Sequence, residues 1–339
     1  MTSPRLLITA WPHLSGPDTT PRIMWTVNAT LVPVVGAAIW YFGPSAALVV
    51  AAALAGCLAT ERVFGRAASL RDGSAVITGL LLGLCLPAGL PLWMAFVGGV
   101  FAIGVGKLIF GGLGQNVFNP ALLGRAFLQA AFPVALTTWP SVEAAWWTLR
   151  GDNFAIPLMS ARPVDVVTAA TPLGLWKFEH QGTDLWRLMV GSTEGSLGET
   201  AGLVILAGGA YLAWRNYLNW RIPVSIFGTV AAISAGLHQL DPARFAGPLF
   251  MVFSGGLVLG AVYMATDTVT SPVTNGGSWI FGAGIGALVV LIRVWGGLAE
   301  GVMYAILIAN SVVPLINRAT QPRAFGARTV LPAPAESRP

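Results

Sequence analysis

Two asparagines near the start of an apolar run are the first polar groups in this chain that could bind a ligand. Asn116 and Asn119 lie three residues apart in a glycine-rich segment that leads into Pro120. Their amides could hydrogen-bond backbone groups that a broken helix leaves free, or they could hydrogen-bond the polar edge of a ligand ring. Asn119 could instead cap a helix whose first residue is Pro120. The sequence leaves both interpretations open.

Two charged residues lie within or at the end of apolar runs. Arg125 falls inside one run, and Asp267 ends another among threonine hydroxyls. Charges in a membrane are costly and therefore indicate function, although Arg125 could snorkel to the nearby cytoplasmic edge. Asp267 suits cation coordination, proton relay or ligand binding, but Asp and Thr are also ordinary helix-end residues.

The segment of residues 165–174 stands out only mildly by its composition. It holds Asp165, Thr168 and Thr171, with Pro172 directly after the last of them. A threonine followed by proline is typical of a helix start, so the residues alone predict that Thr171 is an N-cap.

The remaining polar residues argue against a self-contained active site. His13, His180 and His238 are too scattered for a haem or metal centre. Cys57 and Cys85 are too few for an iron-sulfur cluster. No Walker loop, nucleotide fingerprint, catalytic triad or zinc signature occurs. The sequence therefore predicts neither a catalytic residue nor metal ligands.

The elements that position these residues must lie in a membrane. Of 339 residues, 55% are hydrophobic and 10% are charged, whereas soluble chains carry about a quarter charged residues. The 41 glycines and 23 prolines interrupt apolar runs, as in transmembrane helices. The net charge of +5 comes from dispersed residues, so nucleic acid is not an expected partner. The predicted fold class is an all-α polytopic membrane protein.

About ten transmembrane helices are expected, some of them short enough to be broken or tilted. A spanning helix needs about 20 mostly apolar residues. The candidate runs are residues 24–42, 46–60, 75–90, 92–109, 120–136, 197–214, 223–240, 247–264, 279–292 and 302–316.

Charge placement predicts that both termini are cytoplasmic. With ten spans and the N-terminus inside, twelve of the nineteen basic residues face the cytoplasm and nine of the fourteen acidic residues face outward, as the positive-inside rule favours. The chain is then one integral membrane domain, residues 1–339. It has a cytoplasmic N-terminus (1–23), a periplasmic loop (137–196) and a flexible cytoplasmic tail (317–339).

The two halves of the chain resemble each other weakly. Residues 82–88 and 107–113 loosely match residues 259–265 and 291–298. Because the copies begin on the third and eighth spans, they would run in opposite directions, as a five-plus-five inverted repeat. Such repeats usually meet at a midplane site built from broken helices. Chance similarity between Gly/Leu-rich helices is the alternative.

Several segments together resemble one known family. Residues 111–121 (GGLGQNVFNPA), 165–173 (DVVTAATPL) and 264–267 (MATD) are similar to the family that includes the D subunits of Rnf electron-transport complexes. Residues 308–316 (IANSVVPLI), followed by Arg323, also fit this family. The B subunit of the sodium-pumping NADH:quinone reductase is a more distant relative. The resemblance covers nearly the whole chain.

The resemblance implies that Thr171 carries a covalent FMN, joined through its phosphate to the threonine hydroxyl. A dedicated flavin transferase reads Asp, two variable residues, Ser or Thr, Gly, Ala and then Thr. Asp165, Thr168, Ala170 and Thr171 fill these places, and Ala169 stands where the family has glycine. The transferase acts outside the cytoplasmic membrane, on the side where the charge pattern places this loop.

The resemblance also implies a second flavin. In the related quinone reductase a non-covalent riboflavin lies in the equivalent membrane subunit, so Asn116 and Asn119 are candidates for holding riboflavin. Asp267 and Arg125 are candidates for ion coupling. The expected function is a membrane subunit of an ion-translocating ferredoxin:NAD+ oxidoreductase in the bacterial inner membrane. This subunit would relay electrons through FMN and couple their flow to Na+ or H+ translocation.

The expected partners follow from the same resemblance. They are Rnf subunits A, B, C, E and G, the flavin transferase and membrane lipid. Iron-sulfur clusters and the NAD site would reside on the partner chains, which connect this subunit indirectly to ferredoxin and NAD(H). Two other functions stay open: an inverted-repeat solute transporter or channel, and a purely structural anchor for redox subunits.

Overall fold

Helices are the regular elements of the described part of the chain, and no β-strand forms there. A computed structural model describes residues 18–65, 69–142, 145–157 and 170–322. Asp165 and Thr168 of the predicted flavin motif lie outside these residues, as does most of the predicted C-terminal tail.

The first half of the chain forms five apolar helices. Proline opens α2 and α5, where the missing N–H costs nothing. Their bounds are α1 (Thr20–Phe42), α2 (Pro44–Phe64), α3 (Ser74–Leu84), α4 (Leu92–Ile103, continued by the π-helical turn Gly104–Leu108) and α5 (Pro120–Ala131).

Three short helices connect the halves, and the second half contains six apolar helices. The connecting helices are α6 (Pro133–Thr137), α7 (Pro172–Gly174, continued by the π-helical turn Leu175–Glu179) and α8 (Leu185–Val190). The second half contains α9 (Gly202–Trp214, preceded by the 3-10 turn Leu197–Ala201), α10 (Arg221–Leu240), α11 (Pro248–Phe253), α12 (Leu257–Leu259, continued by Gly260–Met264), α13 (Asn275–Trp295) and α14 (Val302–Thr320).

Six of the helices in the described residues are long and apolar enough to cross a bilayer: α1, α2, α9 with its preceding turn, α10, α13 and α14. Two shorter apolar helices, α3 and α4, add to them. The prediction of an all-α polytopic membrane protein is confirmed. Each of the ten predicted apolar runs contains helix, although several are shorter or broken.

Three of the predicted apolar runs are interrupted in the structure. The run predicted at 75–90 is helical only to Leu84, and the run at 120–136 divides at Phe132. The run at 247–264 divides between Phe253 and Leu257, where Gly255 adopts a φ of +65° that favours glycine. Broken helices survive in a membrane only where neighbouring protein satisfies their free backbone groups.

The two halves repeat the same packing. Helix α2 packs against α3 and α4 as α10 packs against α11 and α13, and the α4–α5 contact matches the α13–α14 contact. A Cβ on Gly56 of α2 would lie 2.1 Å from the Phe96 carbonyl oxygen, and one on Gly282 of α13 would lie 2.8 Å from the Ile222 carbonyl oxygen. Small residues therefore allow backbone contact in both halves. This agrees with the predicted five-plus-five repeat.

The boundaries of the predicted segments shift by a few residues. Helix α1 begins at Thr20, inside the predicted N-terminal segment, and α14 continues to Thr320, inside the predicted tail. The segment 137–196 packs on the bundle through the buried Leu173 and Leu188. Lys177 also donates to the carbonyl oxygens of Gly296 and Leu298, at 2.5 and 2.9 Å. Part of this segment is therefore tied to the membrane helices.

Candidate functional site

The structure gathers the described sequence candidates into two cavities. The Asn116 cavity, about 110 Å³, is lined by Asn116, Asn119 and Asp267. The Thr171 cavity, also about 110 Å³, is lined by Thr171 and Arg125. Both volumes are below the range of small-molecule sites, about 300–1,000 Å³, so a bound flavin would require the surrounding side chains to move.

The cavities lie toward opposite ends of the helix bundle. The first residues of α1, α3 and α5 and the last residues of α9 and α12 enclose the Asn116 cavity. The residue that follows α3, the far part of α5 and the start of α14 enclose the Thr171 cavity. Most of each lining is apolar, with a few polar groups, as is usual for cofactor and ligand sites.

Polar groups on one side of the Asn116 cavity form a small network. The Asn116 Nδ2 donates to the Phe118 carbonyl at 3.2 Å, and its side chain also lies within hydrogen-bonding reach of Asp267. The Asp267 carboxyl accepts from the Val269 N–H at 3.2 Å and the Thr270 hydroxyl at 3.4 Å. Burial raises the pKa of Asp267, and these hydrogen bonds oppose only part of that rise. The network can accept hydrogen bonds from a ligand edge.

Asn119 is the N-cap of α5, which confirms the capping interpretation. Its Oδ1 accepts from the N–H groups of Ala121 and Leu122 at 3.0 and 3.3 Å. Its Nδ2 donates to the Met264 carbonyl oxygen, at 3.2 Å, in the other half of the chain. Both polar atoms of the Asn119 amide therefore hydrogen-bond backbone groups. Its contact with riboflavin stays a prediction.

The Asn119–Met264 contact lies between the two cavities. Ala121 of α5 lines the Asn116 cavity, whereas Leu122 lines the Thr171 cavity. In the other half, Tyr263 lines the Asn116 cavity and Met264 lines the Thr171 cavity. One layer of protein from each half of the repeat therefore separates the two cavities, as expected for a repeat whose broken helices meet near the midplane.

Thr171 is buried at the start of α7, and its predicted N-cap is confirmed. The hydroxyl accepts from the Gly174 N–H at 3.2 Å, and Ala170 just before it is exposed. Trp139 and Tyr304 add aromatic surface to the cavity.

The lining of the Thr171 cavity fits a phosphate-linked flavin. It offers the hydroxyl for attachment, the Arg125 cation for the phosphate, and the aromatic walls for a flat ring system. Arg125 Nε has no hydrogen-bond partner among the described residues, so the guanidinium retains a donor for an anion.

Arg125 pairs with Glu300, which the sequence did not predict. The two side chains are 2.8 Å apart between Nη2 and Oε2. Arg125 therefore does not snorkel to the cytoplasmic edge, because its counter-charge lies at the Thr171 end. Burial alone would raise the pKa of Glu300, but Arg125, the contact with Glu199 and Arg293 together lower it.

The sequence did not predict two further buried cations, which occupy equivalent places in the two halves. Lys107, at the end of α4, donates to Glu61 Oε1 at 2.9 Å and to the Ser74 hydroxyl at the start of α3, at 2.8 Å. Arg293, near the end of α13, donates to the carbonyl oxygens of Met251 and Ser254 of α11 and its C-cap, at 2.5 and 2.9 Å. A basic residue near the end of an apolar run was the available signal.

The fold and the cavities define a polytopic membrane protein of two repeated halves, with a cavity toward each end. Its sequence matches the profile of the NQR2, RnfD, RnfE family over residues 7–326. The chain belongs to this family.

Named relatives agree with this assignment over almost their whole length. The chain is 40% identical to the D subunit of the proton-translocating ferredoxin:NAD(+) oxidoreductase complex of Clostridium ljungdahlii, covering 95% of this chain and 96% of that protein. It is 38% identical to the D subunit of the Na(+)-translocating ferredoxin:NAD(+) oxidoreductase complex of Acetobacterium woodii, covering 95% of each. It is 41% identical to the D subunit of the ion-translocating oxidoreductase complex of Stutzerimonas stutzeri, covering 90% of this chain and 92% of that one.

Proposed function

We propose that this chain is the membrane subunit of an ion-translocating ferredoxin:NAD+ oxidoreductase complex and relays electrons between bound flavins. The observation that carries the proposal is the pair of cavities separated by the layer that contains Asn119 and Met264, in a chain of this family. Two carriers held in these cavities would lie in series across the bundle. The names of the relatives favour this function over a solute transporter or channel.

The Thr171 cavity is the place for covalent FMN. A bound flavin supplies one- and two-electron redox chemistry. Thr171 Oγ1 would form the phosphoester, and Arg125 would compensate the phosphate charge from the same cavity wall. Trp139 and Tyr304 would restrict the ring to one plane. Esterification keeps the carrier at this position where diffusion would otherwise remove it.

The buried position of Thr171 has a consequence for maturation. Thr171 is 5% exposed and lines the cavity, so an external transferase cannot approach its hydroxyl while α7 is packed. We expect the flavin transferase to act on the segment around Ala170 and Thr171 before this segment docks on the bundle. Asp165 and Thr168 would contribute to recognition by that enzyme.

The Asn116 cavity is the place for riboflavin. Asn116 and Asp267 would hydrogen-bond the polar edge of the ring, and Ile77, Leu81 and Tyr263 would contact its apolar faces. Asp267 and Arg125, one on each cavity, are the candidates for coupling the electron transfer to Na+ or H+ movement.

Replacing Asn116 by leucine is expected to remove the non-covalent flavin from the purified complex. Leucine has similar volume but cannot hydrogen-bond the ring edge, while covalent flavin at the other cavity stays. Acid denaturation followed by chromatography of the released flavin measures this change. Asn275→Leu, on an exposed part of α13, is the control. Stoichiometric riboflavin in Asn116→Leu, or its absence from the unaltered complex, contradicts the assignment.

The predicted orientation completes the proposal. Both termini would face the cytoplasm of a bacterial inner membrane, and the loop with Thr171 would face the periplasm, where the transferase acts. Subunits A, B, C, E and G would supply the iron-sulfur clusters and the NAD site, so that ferredoxin and NAD(H) react on partner chains.

Deleting the gene for this chain is expected to abolish ferredoxin-dependent NAD+ reduction by the membranes. A copy of the gene should restore that activity, because the partner chains would otherwise lack the intervening carriers. Membrane-bound ATPase activity serves as the control for membrane integrity. Full ferredoxin-dependent NAD+ reduction in the deleted strain would refute the proposed function.

A further inference from the structure

Four charged side chains from different elements meet beside the Thr171 cavity. They are Arg125 of α5, Glu199 of the turn before α9, Arg293 of α13 and Glu300 of the α13–α14 connection. Arg125, Glu199 and Arg293 are each more than nine-tenths buried. So many desolvated charges are costly unless each one has a partner.

One oxygen of each carboxyl has an identified donor. Glu199 Oε1 accepts from the Ser196 hydroxyl at 2.6 Å and from the Ser196 N–H at 3.2 Å. Glu300 Oε2 accepts from Arg125 Nη2 at 2.8 Å. These contacts hold both carboxyl groups in fixed orientations.

The two carboxyl groups also contact each other. The Glu199 and Glu300 side chains are within hydrogen-bonding reach of each other. Glu300 Oε1 is enclosed and has no N–H or O–H donor among the described residues. Two ionised carboxylates in such contact would repel strongly, whereas one proton between them creates a short, charge-assisted hydrogen bond. The contact therefore favours one shared proton.

The surrounding charges make this proton exchangeable. Burial and the facing carboxylate retain it, while Arg125 and Arg293 favour its release because they stabilise the second negative charge. The Cys85 thiol lies next to Arg125, and Lys177 binds the connection that carries Glu300. With the proton bound, the four side chains carry a net charge of +1, and its release leaves them neutral.

The pair lies at the wall of the Thr171 cavity. Glu300, Arg125 and Ser196 line this cavity, and the Glu300 side chain retains 18% exposure. Water in the cavity can therefore reach the Glu300 side chain. Arg125 Nε, which has no partner among the described residues, offers a donor to such a water.

We propose that Glu199 and Glu300 form a proton-exchange site at the Thr171 cavity, in which the two carboxyl groups hold one proton in common. On uptake, a hydronium ion in the cavity transfers its proton to the Glu300 carboxylate, which lines the cavity, and becomes water, and the new O–H donates to the Glu199 carboxylate. On release, the same O–H bond breaks and water receives the proton. The step involves no electrons, so the site does not depend on the flavin proposed for Thr171.

Infrared difference spectroscopy of the purified complex between acidic and alkaline buffer tests this proposal. The unaltered complex is expected to show the C=O band of a protonated carboxyl group that shifts in D2O and disappears at high pH. Glu199→Gln should lose that band, because glutamine can still donate to Glu300 Oε1 but has no exchangeable acid proton. Retaining this hydrogen bond also preserves the fold.

Two controls make the result specific. Glu179→Gln changes an exposed carboxyl group and should leave the band intact. Thr171→Ala should also keep the band, so that failure of the flavin assignment and failure of this proposal are distinguishable. A band that persists in Glu199→Gln, or an unaltered complex without the band, overturns the proposal.

Discussion

Replacing Thr171 by alanine is expected to abolish covalent flavin attachment completely while the helices remain assembled. The change removes the one hydroxyl that the phosphoester requires. It also removes the N-cap hydrogen bond to the Gly174 N–H, at a cost of about 1 kcal/mol. Ultraviolet-excited fluorescence of the denatured band on a gel reports the attachment, and size-exclusion chromatography reports the assembly.

Thr137→Ala is the matched control for this experiment. Thr137 lines the same cavity and donates its hydroxyl to the Pro133 carbonyl at 2.9 Å, but it lies outside the predicted flavin motif. Its variant should fluoresce as strongly as the unaltered chain. Fluorescence retained in Thr171→Ala, or lost in Thr137→Ala, would show that the flavin is attached elsewhere.

Breaking the buried pair between Lys107 and Glu61 is expected to cause the largest loss of stability. The side chains are 3% and 0% exposed and lie 2.9 Å apart. Glu61→Gln leaves the Lys107 ammonium buried without a counter-charge, which costs about 3–5 kcal/mol. The thermal melting temperature of the purified chain in detergent should fall markedly.

A double variant distinguishes the ion pair from simple packing. Combining Lys107→Met with Glu61→Gln removes both charges at similar volume, so most of the lost stability should return. Arg62→Gln changes an exposed charge at the next position of α2 and should melt like the unaltered chain. If the double variant melts no higher than Glu61→Gln alone, the pair does not act through its charges.

Hydropathy was sufficient to predict the membrane fold, because long apolar runs in a chain with few charges have few other solutions. The positions of the breaks were harder to predict. Ser254 to Gly256 separate α11 from α12, but Gly-rich sequence also occurs inside the continuous helix α13. Tertiary contacts such as that between Arg293 and the Ser254 carbonyl stabilise the open backbone, and composition does not reveal them.

The candidate site was predictable only in part, for the same reason. Local patterns identified Asn119 and Thr171 as caps, since each precedes a proline at a helix start. The partners of Arg125 were not predictable. Glu300 is 175 positions away, and the charge pattern alone assigned it to an outer loop. The junction of the two halves creates both cavities, so the relation between distant residues depends on the fold.

Mass spectrometry of the intact, denatured chain tests the central claim most directly. We predict a mass increase of one FMN phosphoester, and fragmentation should locate it on the peptide that contains Thr171. A chain whose mass equals that of the bare polypeptide, purified from cells with an active flavin transferase, would contradict the proposed flavin relay.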